Sequence, residues 1–186
     1  NQAEAYALLA ESFYWQGQLA LAEETAQAAL RFNSRNHGGF VWLAQARFGR
    51  QDVEGAERAF QNALTLNPYD RNVKGLYAFF KGKTGDLSAT ETFVGLLSKD
   101  PVNALLWFLR GELHREKGHL SDAVQCYLTA TSLKPFYLKA HVGLIETYLD
   151  QHLTANAEAA LATALQINST DKNVIALRNR MKKGNT

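Results

Sequence analysis

Apolar residues recur at helical spacing along this chain and are interrupted at regular intervals. Tyr6, Leu9, Ala10 and Phe13 stand at i, i+3, i+4 and i+7, the spacing of one helix face. Gly17 breaks the run, and a second follows through Leu21, Ala22, Ala26, Ala29 and Leu30. The alternation predicts a helix, a turn whose glycine takes a left-handed backbone, and a second helix running back.

The same arrangement returns along the sequence. Gly17, Gln51, Gly85, Gly118 and His152 form a ladder with steps of 34, 34, 33 and 34 residues. In phase with it run Ala22, Ala56, Thr90, Ala123 and Ala157, then Ala29, Ala63, Leu97, Ala130 and Ala164, and also Ala10, Ala44, Ala78, Gly111 and Ile145. Small residues on these ladders mark where two helices approach closely. Pro68, Pro101 and Pro135, 33 and 34 residues apart, fall at the ends of units and prevent helix continuation. Ser88 to Glu91 reads as a capping box that opens a second helix. Each predicted unit is a helical hairpin with an apolar face too wide to bury alone, so neighbouring units must stack.

These units resemble tetratricopeptide repeats, whose 34-residue pattern carries bulky, small, aromatic, Gly, Ala and Pro positions at fixed places. Trp107, Gly111, Gly118, Ala123, Tyr127, Ala130 and Pro135 match in the fourth unit. Phe40, Leu43, Ala44, Ala56, Phe60, Ala63 and Pro68 match in the second, and Leu144, Tyr148, Ala157, Leu161 and Ala164 in the fifth. The resemblance implies an all-α, right-handed superhelical solenoid of about five hairpins. It would form one domain over 1–186, with repeats at about 3–36, 37–70, 71–103, 104–137 and 138–171.

Three departures stand out. The third unit has Lys74 at a bulky apolar place and Thr90 at a close-packing one, which makes it the least regular joint. Gln51 and His152 replace the turn glycine, which implies either strain or a different turn geometry there. Arg110 takes a place usually held by Leu. Residues 172–183 predict a further amphipathic helix, with Val174, Leu177 and Met181 on one side and Arg178, Arg180, Lys182 and Lys183 free to face water. Such a helix caps the open end of a stack.

Composition narrows the function classes. The chain is 46% hydrophobic and 20% charged, as in an ordinary globular protein, and no apolar run reaches the roughly 18 residues of a membrane span. It opens on Asn1 rather than Met, which suggests a trimmed or processed chain and leaves the compartment, periplasm or cytoplasm, undefined. The net charge of +2 hides an asymmetry. Five basic residues lie in the last fifteen, and the rest carries 15 basic against 18 acidic residues. That balance is a poor match to a nucleic-acid groove.

No catalytic motif is present: no GxSxG, phosphate-binding glycine loop, HExxH or CxxC. Cys126, in a second helix, reads as a buried inert thiol. His114 and His119 are five apart, the wrong spacing for one helix face, and His119 at the turn is expected to point elsewhere. His114 and His141, on successive first helices, are close enough in register to touch. These read as packed or rim histidines, and neither a metal site nor a cofactor is assigned.

Tetratricopeptide proteins bind partners mainly on a concave surface built by first helices. By register that surface holds Ala7, Glu11, Tyr14 and Trp15, then Val41, Gln45 and Phe48 with Trp42 beside them, then Gly75, Phe79 and Lys83. The fourth unit gives Phe108, Glu112 and Arg115, and the fifth Val142, Glu146 and Asp150. The row of aromatics exceeds what one packing stripe needs and implies a binding face. The Asn and Lys/Arg clamp that some relatives use for a terminal carboxylate is missing, since those places hold Glu11, Gln45, Phe79, Glu112 and Glu146.

The expectation is therefore a non-enzymatic scaffold or adaptor. Its groove would be one continuous apolar surface with an acidic margin, suited to an apolar or amphipathic segment of another protein. The resemblance suggests bacterial envelope work such as pilus assembly, secretion or cytochrome c maturation. The alternatives are the substrate-recognition domain of a larger enzyme and a helical-hairpin RNA reader, which the acidic margin disfavours.

Overall fold

The left-handed turn residue of each repeat sets where the chain reverses. In the computed structural model, which describes residues 1–184 and the side chains of 1–182, Gly17, Gly85 and Gly118 have φ of 77°, 101° and 75°. Gln51 and His152, at the same ladder places, are forced to 67° and 60°. The strain expected at those two turns is present, because neither side chain relieves the contact between Cβ and the backbone.

Eleven helices and no strand are found among the described residues. They are α1 (Gln2–Trp15), α2 (Leu19–Phe32), α3 (His37–Gly49), α4 (Val53–Leu66), α5 (Arg71–Lys83) and α6 (Ala89–Lys99). The rest are α7 (Ala104–Glu116), α8 (Leu120–Leu133), α9 (Leu138–Asp150), α10 (Thr154–Ile167) and α11 (Lys172–Gly184). α4, α6 and α8 stop just before the residue that precedes each proline, as the restriction on that residue requires. Most odd helices are opened by a side chain that accepts from a backbone N–H: Asn1, Asn36, Asp70, Asn103 and Asp171.

The expected capping box at Ser88 does not form. Ser88 has helical dihedrals and makes no capping bond to α6. Its N–H and Oγ both donate to Asp86 Oδ1, so an Asx turn takes the place of the cap.

The described chain divides into two compact units, Asn1–Gly85 and Asp86–Thr186. The division falls inside the third repeat, whose sequence departs most from the pattern, so α5 closes the first unit and α6 opens the second.

In the first unit α1 packs on α2 and α3, α2 on α3, α3 on α4, and α4 on α5. Ala10, Ala44, Ala56 and Ala63 lie on the close-approach ladders and are wholly buried with Ala26, Phe60 and Phe80. Each such ring stabilises the fold by about 1.5–3 kcal/mol through burial. α1 buries Ala3, Ala7 and Ala10, whereas Leu9, expected on its packed face, is 43% exposed.

In the second unit α6 packs on α7, α7 on α8 and α9, α8 on α9, and α9 on α10. α11 covers α9 and α10, burying Val174, Leu177 and Met181 against Leu161 and Ala164. Of the basic residues expected to face water, Arg180 and Lys182 do so, but Arg178 is half-buried with Nε inside. The Lys183 side chain lies outside the described residues. Arg110, at the place usually held by Leu, lays its guanidinium 5.7 Å from the Trp107 ring centre, while Leu106, Leu109 and Leu113 fill the core.

Candidate functional site

The first-helix residues singled out in the sequence fall into distinct groups in each unit. In the first, Tyr14 and Trp15 at the end of α1 meet Trp42 of α3. The Tyr14 and Trp15 ring centres are 4.8 Å apart edge to face, and Trp42 lies 5.7 Å from both. Burial pushes the Tyr14 phenol up from its ordinary pKa. Trp15 remains 48% exposed, with its indole N–H donating to Glu11 Oε1 at 3.3 Å. A large amphipathic ring is thus held in place by its own helix while half of it faces water.

A second aromatic group forms at the ends of α3 and α5. Phe48 meets Phe79 at 6.3 Å and the buried Phe80 at 5.2 Å, both edge to face. Phe48 and Phe79 are half-buried, and Lys83 Nζ stands 5.9 Å from the Phe79 ring centre. Val41 and Gln45, expected beside them on the surface, are only 8% and 6% exposed. They belong to the interior of the first unit, because α3 has packed neighbours on more than one side.

In the second unit the corresponding face is charged. Arg115 of α7 reaches Glu146 Oε2 at 3.1 Å, and Glu112 and Asp150 at 3.9 Å each. Burial lowers the Arg115 pKa, but Glu112 and Glu146 outweigh it and the net shift is upward. Three carboxylates around one guanidinium leave this face with net negative charge. Glu112 is the least available of the three, because it also accepts from the Tyr127 hydroxyl at 2.5 Å. Burial drives the Glu112 pKa up, against the opposing pull of Tyr127 and Arg115.

Phe108 is half-buried, 6.1 Å from Tyr127 and 5.2 Å from Tyr137. Tyr137 was not singled out from the sequence, because it sits in the turn before α9 rather than on a first helix. Its place directly after the Pro135-Phe136 stretch was the available signal.

Cys126 is buried, and its thiol is pushed up to about 11, which suits an inert side chain. The histidines differ from expectation. His141 Nε2 lies 2.8 Å from the Pro135 carbonyl oxygen, and the ring beside His114 is that of His119, with centres 5.9 Å apart. The left-handed Gly118 turns the chain so that His119 faces back toward α7.

A family model of the tetratricopeptide repeat matches residues 108–172. A tetratricopeptide repeat-containing protein of Methanocaldococcus jannaschii is 36% identical over 58 residues, which cover 30% of this chain and 17% of that protein. Among solved structures, a thermophilic tetratricopeptide repeat protein of Thermus thermophilus superposes with a TM-score of 0.80 at 19% identity, over 97% of each chain. PilW, a widely conserved type IV pilus biogenesis factor, gives 0.71 at 16% identity, over 98% of this chain and 86% of its own. YrrB, a tetratricopeptide repeat protein with an unusual peptide-binding site, gives 0.58 at 15% identity, over 94% and 90%. Residues 108–172 thus match the tetratricopeptide repeat, and the chain as a whole shares the all-α helical-repeat fold of these solved structures.

Proposed function

We propose that the chain, over 1–186, is an adaptor without chemistry of its own, and that its first-helix faces bind an apolar or amphipathic segment of another protein. The carrying observation is Trp15. A tryptophan 48% exposed, oriented by Glu11 and packed against Tyr14 and Trp42, is a preformed anchor whose remaining apolar area a partner would cover. Phe48 and Phe79 offer a second anchor on the same unit, and Phe108 one on the other. The carboxylates around Arg115 favour a ligand with basic residues beside its apolar ones. Among the envelope contexts raised by the sequence, pilus assembly has an echo in the likeness to PilW, which at 16% identity concerns fold.

Selection of a displayed random peptide library against the chain tests this reading. Enriched sequences should combine aromatic or aliphatic positions with Lys or Arg, and should lose binding when Trp15 is replaced by Ala. Enriched peptides indifferent to Trp15→Ala, or acidic in character, would remove the proposed face.

A further inference from the structure

The α7–α8 turn gathers three metal-ligating side chains. His114 lies in the last turn of α7, His119 at the N-cap of α8, and Asp122 in the first turn of α8. One donor atom from each lies within 4.8 Å of the other two. His114 Nδ1 is 3.9 Å from Asp122 Oδ2. Local backbone makes this possible: Gly118 at φ 75° reverses the chain within four residues of His114, and His119 spends no hydrogen bond on capping α8.

We propose that His114, His119 and Asp122 form a binding site for a divalent transition-metal ion of the zinc class. Two imidazoles and a carboxylate are the donor set such an ion prefers, and three protein ligands leave one position open to water. Around a tetrahedral zinc, donors at about 2.0–2.1 Å from the metal stand roughly 3.3 Å from one another. His119 and Asp122 are both exposed, so their side chains are the ones that would rotate to close the remaining gap. His114 is the fixed member. Its side chain is only 12% exposed, and its buried Nδ1 has no hydrogen-bond partner.

The electrostatics act in two directions. Burial first, then the Arg110 charge, lowers the His114 pKa. Arg110 and Lys117 also repel a dication, and Asp122 offsets them. Cations near the site set the affinity below that of a cage of anionic ligands. The bound ion would tie the end of α7 to the start of α8 and hold their turn.

Calorimetric titration of the tag-free, chelator-treated full chain with Zn2+ tests the site. Binding should saturate at one ion per chain. His119→Ala and Asp122→Asn should each weaken it tenfold or more with helicity unchanged, and His152→Ala should leave it as it was. Absence of saturable Zn2+ binding, or binding that survives both His119→Ala and Asp122→Asn, or is lost equally in His152→Ala, would overturn the proposal.

Discussion

The Tyr127 hydroxyl donates to Glu112 Oε1 and so joins the two helices of one hairpin through a partly buried polar bond. The ring carrying that hydroxyl is fully buried between two glycines. A Cβ on Gly111 would stand 2.8 Å from Tyr127 Cε1, and one on Gly143 would stand 2.7 Å from Cζ. Tyr127 therefore sets how closely α7 and α9 approach α8. Gly143→Ala gains about 1 kcal/mol of helix propensity but must displace a ring pinned at both ends. A net loss of about 1–2 kcal/mol is expected, read as a lowered denaturation midpoint. A stabilised Gly143→Ala protein would mean the ring is not held there.

The position of Glu112 also predicts a pH effect. Its folded pKa is raised, so the folded protein holds the proton more tightly than the unfolded chain. Its contribution to stability is present in acid and is lost as pH rises through the folded pKa. Glu112→Gln keeps an acceptor for Tyr127 and removes the charge. It should raise stability by on the order of 1 kcal/mol at neutral pH and by nothing below the carboxylate range. Denaturant midpoints measured across pH check this, and a gain independent of pH would contradict it.

Gln51 and His152 hold a backbone that suits glycine. Gln51→Gly and His152→Gly should each stabilise by about 0.5–1 kcal/mol, since relief of the left-handed strain exceeds the added chain entropy. Thermal melts of the two variants provide the test, with no change or a loss counting against it.

Removal of residues 172–186 uncovers the faces of α9 and α10 that Val174, Leu177 and Met181 now bury. The shortened protein should melt lower and self-associate, visible by sedimentation or light scattering. A monomer of unchanged stability would show that α11 does not act as a cap.

The repeat was legible because it rests on local rules. Small residues mark close helix approach, a left-handed residue marks each reversal, and Asn, Asp and Pro mark helix ends. Side-chain direction was not legible where two elements compete for one residue. The five-residue spacing and the turn implied that His119 points away from His114, yet the left-handed Gly118 brings the two rings together. Glu112 reads as a groove acid until Tyr127, fifteen residues on, takes its carboxylate. Val41 and Gln45 share register with surface residues but are enclosed by their neighbours, and Tyr137 reaches Phe108 from a turn that no helical pattern covers.

The central claim is that exposed first-helix aromatics anchor a partner, and Trp15 tests it most directly. A peptide selected against the chain should be titrated by calorimetry into the native protein and into the Trp15→Ala and Phe48→Ala variants, with circular dichroism confirming intact helices. The account predicts micromolar-range binding that weakens by about 1–3 kcal/mol in each variant, and quenching or a shift of tryptophan emission in the native protein on binding. Unaltered affinity in both variants with intact helices would contradict it.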